Sequence, residues 1–213
     1  MKIAIIGAGN VGGALGAAWA KKAGHDVIFG VRDPKSGKIG PLLQTIGPKA
    51  RVATVPEAAT SADIVVLSTP WPATESAIRS MGNIRGKIIL DATNPLTRGP
   101  EGIALEIGHS TSGGEKVQSW ATGASVFKTL NTTGFGNMAS PEFKGVKSVM
   151  FVAGDDADGK KLVIELVSSL GFEAIDVGEL KIARLLEPFA MLWIHLMARR
   201  NQGRNFAFGM LRR

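Results

Sequence analysis

The residues best spaced for chemistry stand near the amino terminus, where Gly7-Ala8-Gly9-Asn10-Val11-Gly12 follows the apolar run Ile3-Ala4-Ile5-Ile6. Between a strand and a helix, each glycine has a job. Gly7 permits the tight turn, Gly9 lets the backbone approach a pyrophosphate, and Gly12 lets helix and strand pack closely. The free N–H groups at the start of the helix, with its dipole behind them, favour a negative group. The pattern points to a dinucleotide, against the plainer reading of a structural glycine turn. The next apolar run ends Phe29-Gly30-Val31-Arg32-Asp33-Pro34. An NAD site would set an acid there to accept from the ribose 2′-hydroxyl. Val31 holds that position instead, with Arg32 next and Lys35 and Lys38 close behind. A guanidinium fork suits a phosphate, so NADP(H) is expected. Two alternatives stay open: Arg32 pairs only with Asp33 or solvent, or Asp33 itself binds the ribose.

Two absences narrow the chemistry further. With no cysteine there is no disulfide framework, thiolate zinc site, iron–sulfur cluster or cysteine nucleophile. With no tyrosine, the Tyr–Lys acid pair of short-chain dehydrogenases cannot be built. The chain has three histidines, His25, His109 and His195, too few for a multi-histidine metal site to be expected. No metal and no catalytic dyad are assigned. His195 reads as a packed or interface residue, and His109 is the one histidine near the expected site.

The elements that must position these residues are legible as short aliphatic runs separated by helical stretches. Ile3–Ile6, Val27–Val31, Asp63–Ser68, Lys87–Asp91, Val126–Leu130, Val149–Ala153 and Ala174–Val177 suit strands buried on both faces, with Arg51–Thr54 a weaker candidate. Helices are predicted over Val11–Ala23, Pro56–Thr60, Glu75–Met81, Ala157–Leu170 and Leu180–Arg200, the last with a kink or break at Pro188. Ser112-Gly113-Gly114-Glu115 has capping-box spacing and starts a further helix. Pro95 to Gly114 reads as irregular loop. The alternation implies an α/β, Rossmann-type doubly wound, mostly parallel sheet with a short C-terminal helical extension. The expected division is a dinucleotide-binding domain over 1–178 and an extension over 179–213.

The chain carries a formal charge of +7, and five of the positive residues, Arg199, Arg200, Arg204, Arg212 and Arg213, follow the last acid, Glu187. No nucleic-acid motif precedes this tail, so neither nucleic acid nor membrane is an expected partner. The longest greasy stretch, near Phe189–Ile194, is far short of the roughly 20 residues a span needs. A cytoplasmic protein is expected. Leu185, Leu186, Phe189, Met191, Leu192, Trp193, Leu196 and Met197 surround the last helix with apolar side chains, which predicts a homodimer covering it.

Several segments together form a recognisable set. They are the glycine loop, the Phe29–Pro34 turn, Leu67-Ser68-Thr69-Pro70-Trp71, Asp91-Ala92-Thr93-Asn94-Pro95-Leu96, Phe127-Lys128-Thr129-Leu130-Asn131-Thr132, Phe151–Asp156 and Arg184-Leu185-Leu186-Glu187-Pro188. In these the chain resembles the coenzyme-F420-dependent NADP reductase family, whose fold is shared by the cytosolic domain of the STEAP metalloreductases. The resemblance implies hydride transfer between NADP(H) and coenzyme F420, a small-molecule redox partner. It implies that Gly7, Gly9, Asn10, Val11 and Gly12 hold the pyrophosphate and that Arg32, with Lys35 nearby, faces the 2′-phosphate. Val31 departs from the hydroxyl residue the family often has before that arginine. Thr69, Pro70, Trp71, Asn94 and Pro95 would line the nicotinamide side, and Asn131 and Thr132 would border the deazaflavin. Archaeal members have a His-Thr pair where this chain has Asn131-Thr132, so the electron partner stays open. A flavin or metal reductase of the STEAP type and a non-catalytic NADP-binding sensor are the alternatives. A β-hydroxyacid dehydrogenase or imine reductase would need a larger helical domain than 179–213 supplies.

Overall fold

The computed structural model describes residues 1–100 and 102–213. Strand β1 (Lys2–Ile6) is apolar on both sides of its pleat. Ile3 and Ile5 enter one hydrophobic layer, while Ala4 and Ile6 enter the other. A strand greasy on both faces needs helices above and below it. The chain supplies them in α1 (Asn10–Lys21), β2 (Asp26–Val31), α2 (Gly40–Ile46), β3 (Ala50–Thr54), α3 (Val55–Ser61), β4 (Ile64–Leu67), α4 (Trp71–Arg79) and β5 (Ile88–Asp91). A hairpin of β6 (Leu96–Gly99) and β7 (Gly102–Leu105) precedes α5 (Gly113–Trp120) and β8 (Ser125–Lys128). Then come α6 (Phe135–Ala139), the short pair β9 (Glu142–Phe143) and β10 (Val146–Lys147), and β11 (Val149–Gly154). The last elements are α7 (Ala157–Ser168), β12 (Glu173–Asp176), a 3₁₀ turn at Leu180–Ile182 and α8 (Ala183–Arg199).

Eight strands form the main sheet in the order β12-β11-β8-β5-β4-β1-β2-β3. From β3 to β8 every pairing is parallel, whereas β11 runs antiparallel to β8 and β12 follows β11. This is the expected doubly wound sheet. Its register aligns the strand ends: Ile6 pairs with Leu67, Leu67 with Asp91, and Asp91 with Lys128. The loops after β1, β4, β5 and β8 therefore leave the sheet along one edge. Within one layer the helices are also tied to each other, as where the buried Trp19 of α1 donates its indole N–H to Leu166 O of α7 at 3.1 Å. Ser112 caps α5 as its spacing predicts, accepting from the Glu115 amide at 3.1 Å.

The structure departs from expectation in four places. The stretch expected to be irregular loop contains the β6–β7 hairpin. Helices α2 and α6 and the β9–β10 pair are not expected from the sequence pattern, being too short to show a period. Of the kink or break expected at Pro188 the break does not occur, since the last helix runs through it although proline offers no N–H to the Arg184 carbonyl. Helix α8 stops at Arg199, and residues 200–213 form no further helix. They fold back as a strap: Phe206 O accepts from Trp193 Nε1 at 3.0 Å and Asn137 Nδ2 at 2.7 Å, and Val149 N–H donates to Phe208 O at 2.9 Å. Phe206 stacks on Trp193 and Phe208 packs on Phe189, so the chain itself covers part of α8. Leu185 and Leu192 remain 66% and 47% exposed. No described helix is long and apolar enough to cross a membrane.

Candidate active site

Gly7 leaves β1 at φ +106, a conformation that side chains avoid, and its ideal Cβ would sit 2.8 Å from Ser68 O. Ser68 Oγ donates to Gly7 O at 2.8 Å and clamps the turn against the end of β4. At Gly12 a Cβ would lie only 2.0 Å from Gly7 O. Gly9 is different, because a Cβ there would meet nothing within 4 Å. Its backbone is extended at the helix N-cap, with no side chain capping α1 and no acid in the first turn. The first helical bond is Gly13 N–H to Gly9 O at 2.8 Å. The amides before it have no helical partner and open on unfilled space. Such a set of amides forms a cradle that can receive an anion.

The cradle forms one wall of a cleft of about 530 Å³. Gly7, Gly9, Asn10 and Val11 meet Thr69, Pro70, Trp71 and Asn94 there, with Ser68, Ala92, Thr93 and Leu96 between them. Gly12 lies behind the loop and shapes it. Trp71 serves two purposes, lining the cleft while packing its ring 5.4 Å from that of Trp120. Thr69 is oriented by a 2.9 Å hydroxyl contact with buried Thr74. At the far end of β2, Val31 is half-buried and Arg32 is exposed. Lys35 lines a neighbouring hollow of about 970 Å³ with Asp33, Arg51 and Thr54. Asp33 Oδ1 accepts the Lys35 amide at 3.0 Å, closing its own turn. Among the described residues Arg32 makes no ion pair with Asp33.

The remaining predicted residues lie one layer back. Pro95 is buried. Asn131 Nδ2 donates to Asn94 Oδ1 at 3.0 Å and to Leu186 O at 3.3 Å, while Asn94 Nδ2 donates to Asn131 O at 3.0 Å. This reciprocal pair locks the Asn94 carboxamide. Among the described residues Asn131 Oδ1 is buried without a partner. The hydroxyl of Thr132, also buried, faces Met150 Sδ at 3.6 Å. His109 and His195 are exposed, and no described group of three acidic or histidine side chains could hold a metal.

Behind this layer is a cluster that sequence reasoning missed. Lys128, at the end of β8, is fully buried. Its Nζ contacts Asp91 Oδ2 at 2.8 Å, Glu187 Oε1 at 2.9 Å and Thr93 O at 2.7 Å. Burial pushes the ammonium down, but the two carboxylates outweigh it and hold its pKa above the ordinary lysine value. Glu187 also accepts from the Gly113 and Gly114 amides at 2.8 and 2.9 Å, and Asp91 Oδ1 accepts from Thr93 N–H and Oγ1. The sequence does hold a signal: a lysine closing an apolar strand, and a glutamate inside an apolar helix.

Residues 2–95 match the family model described as NADP oxidoreductase, coenzyme F420-dependent. The F420-dependent NADP reductase of Methanothermobacter thermautotrophicus is 31% identical, with 96% of this chain and 92% of the relative covered. The chain belongs to the F420-dependent NADP reductase family. It is, accordingly, an oxidoreductase. A crystal structure of a candidate F420-dependent NADP reductase from Arthrobacter sp. FB24 superposes with a TM-score of 0.91 over all of both chains, at 34% identity. The metalloreductase STEAP3 of Rattus norvegicus is 26% identical over 89% of this chain and 36% of its own.

The loop geometry separates two glycines that look alike in the sequence. Gly12→Ala drives a methyl into the Gly7 carbonyl and should cost about 3 kcal/mol or more, a fall in Tm of roughly 6–12 °C. Gly9→Ala enters open space and should cost under about 1 kcal/mol as a poorer N-cap. Thermal melts of the two variants check this, and equal losses would mean that the cradle is not open.

Proposed function

We propose that this reductase transfers a hydride between NADP(H) and the deazaflavin coenzyme F420. The observation that carries the reading is the uncapped start of α1, facing a cleft walled by Thr69–Trp71 and Asn94. An unpartnered set of amides beside the empty space at Gly9 fits a pyrophosphate. Arg32 and Lys35 stand where a 2′-phosphate would be recognised, and Asp33 is engaged in its own turn. Whole-length likeness to relatives named F420-dependent NADP reductases supplies the second cofactor.

In this reading Gly7, Gly9, Asn10, Val11 and Gly12 form the pyrophosphate seat. Thr69, Pro70, Trp71, Asn94 and Pro95 bound the nicotinamide end, with Asn131 and Thr132 supporting that wall on the deazaflavin side. When bound, NADPH supplies the hydride and F420 receives it. The chain's own residues need contribute no acid or base. They hold two rings in register and exclude water, which is where the acceleration arises. Residues 179–213 act as an extension of the 1–178 dinucleotide-binding unit.

Steady-state NADPH oxidation tests the acceptor. Turnover should be faster with the deazaflavin than with FMN or FAD. Flavin reduction without deazaflavin turnover would favour the STEAP-like alternative, and tight NADPH binding without turnover would favour a sensor.

Two copies associate through α8 in this reading, because Leu185 and Leu192 stay exposed two turns apart on one helix. Sedimentation should show a species of twice the 22.4 kDa chain mass. A single monomeric species at micromolar concentration would remove the dimer.

Cofactor selectivity rests mainly on Arg32. A hydrogen bond to a charged group contributes about 1.5–3 kcal/mol, so Arg32→Ala should weaken NADPH by roughly ten- to a hundred-fold. NADH, lacking the 2′-phosphate, should change little, and Lys35 pulls the loss toward the lower figure. Dissociation constants for both cofactors decide it: equal weakening would assign Arg32 to the fold or the adenine, and a wild-type preference for NADH would make Asp33 the ribose ligand.

A further inference from the structure

The buried cluster behind the cleft is not explained by hydride transfer itself, since neither Lys128 nor Glu187 reaches the cleft. Lys128 nevertheless touches a residue that lines it, and Glu187 reaches the same wall at one remove. Lys128 holds Thr93 by its carbonyl oxygen, and Thr93 lines the cleft beside Asn94. Glu187 holds the Gly113 amide, and Gly113 in turn lies against Pro95, where an ideal Cβ would fall 3.1 Å from Pro95 Cδ and 3.0 Å from Glu187 Oε1. Every contact to the two carboxylates comes from a donor: the Lys128 ammonium, the amides of Thr93, Gly113 and Gly114, and the Thr93 hydroxyl. Such a set suits two ionised acids around one cation, with the start of α5 facing the second acid.

We infer that Lys128 and Glu187 are positioning residues that set the Thr93–Pro95 wall, and thereby the seat of the nicotinamide, without touching the cofactor. The inference rests on the proposed dinucleotide site. Lys128 fixes the inner side of the wall from β8, and Glu187, reaching in from α8, seats the start of α5 on Pro95. The phosphate cradle at Gly7–Gly12 belongs to a different part of the loop system and is untouched by the cluster. Displacing the wall should therefore loosen one end of the cofactor only.

The experiment compares NADPH with 2′-phospho-ADP-ribose, which lacks the nicotinamide ring, on the full-length protein. Glu187→Gln removes one charge and sets an amide against the Gly113 or Gly114 N–H. Gly113→Ala keeps every charge and presses on Pro95 and on the Glu187 carboxylate, so it stands in should Glu187→Gln fail to fold. In both variants 2′-phospho-ADP-ribose should bind within about twofold of wild type, while NADPH weakens by roughly tenfold in Glu187→Gln and by less in Gly113→Ala. Single-turnover hydride transfer should fall by up to about a hundred-fold, the scale of an ångström's misplacement. Parallel weakening of both ligands would overturn the inference in favour of a purely structural cluster, as would unchanged NADPH binding in folded variants. A wild-type protein that binds neither ligand would overturn the dinucleotide reading instead. Wild-type binding of NADPH without deazaflavin turnover would remove only the acceptor assignment, and the binding comparison would still decide the role of the cluster.

Discussion

The ammonium of Lys128, with no exposure to solvent, is the constraint around which the rest is arranged. Taking a charge out of water is costly unless its partners are close and their own hydrogen-bonding capacity is filled. Here the partners come from three other elements. Asp91 closes β5 and is the register partner of Lys128 on β8. Glu187 reaches in from α8, and the start of α5 donates two amides to it. Removing one member would strand a buried charge, which typically destabilises by about 3–5 kcal/mol. The cluster therefore joins the last helix to the sheet more specifically than apolar packing could.

The same row of the sheet generates the site. Because Ile6, Leu67, Asp91 and Lys128 stand side by side in register, the loops after them converge at one edge. The chain order reverses beside β1, with β2 on one side and β4 on the other, and that is where open α/β sheets bind ligands. Parallel register thus does two things at once. It brings the glycine turn, Ser68–Trp71 and Ala92–Leu96 together at the cleft, and it sets two opposite charges opposite each other where they can be sealed from water.

Much of this is legible in the sequence. Strands apolar on both faces announce a covered parallel sheet, and Ser112 with Glu115 announces a helix start. The glycine loop is legible because its requirement is local: a positive φ at Gly7 and no room for a methyl at Gly12. What stays hidden depends on distance in sequence. Lys128 meets Asp91 and Glu187 from 37 and 59 positions away, so three unremarkable charges become one cluster only after folding. Helix α2 is too brief for a period to emerge. The strap beyond Arg199 is held by backbone carbonyls of Phe206 and Phe208, which leave no trace in residue types. Asn131 stands out in the sequence as a candidate site residue, but its burial behind Asn94 does not show there.

The distribution of charge follows from these arrangements. Three acids close to the site are engaged by donors of their own: Asp33 by the Lys35 amide, Asp91 and Glu187 by Lys128 and backbone N–H groups. Helix α1 carries no acid in its first turn, and the chain carries none after Glu187. Asp91 and Glu187 are buried in the cluster, while Arg32 and Lys35 stay exposed. Such a division suits the proposed hydride transfer, because the reacting ends of two cofactor rings require shape and dryness rather than a proton donor.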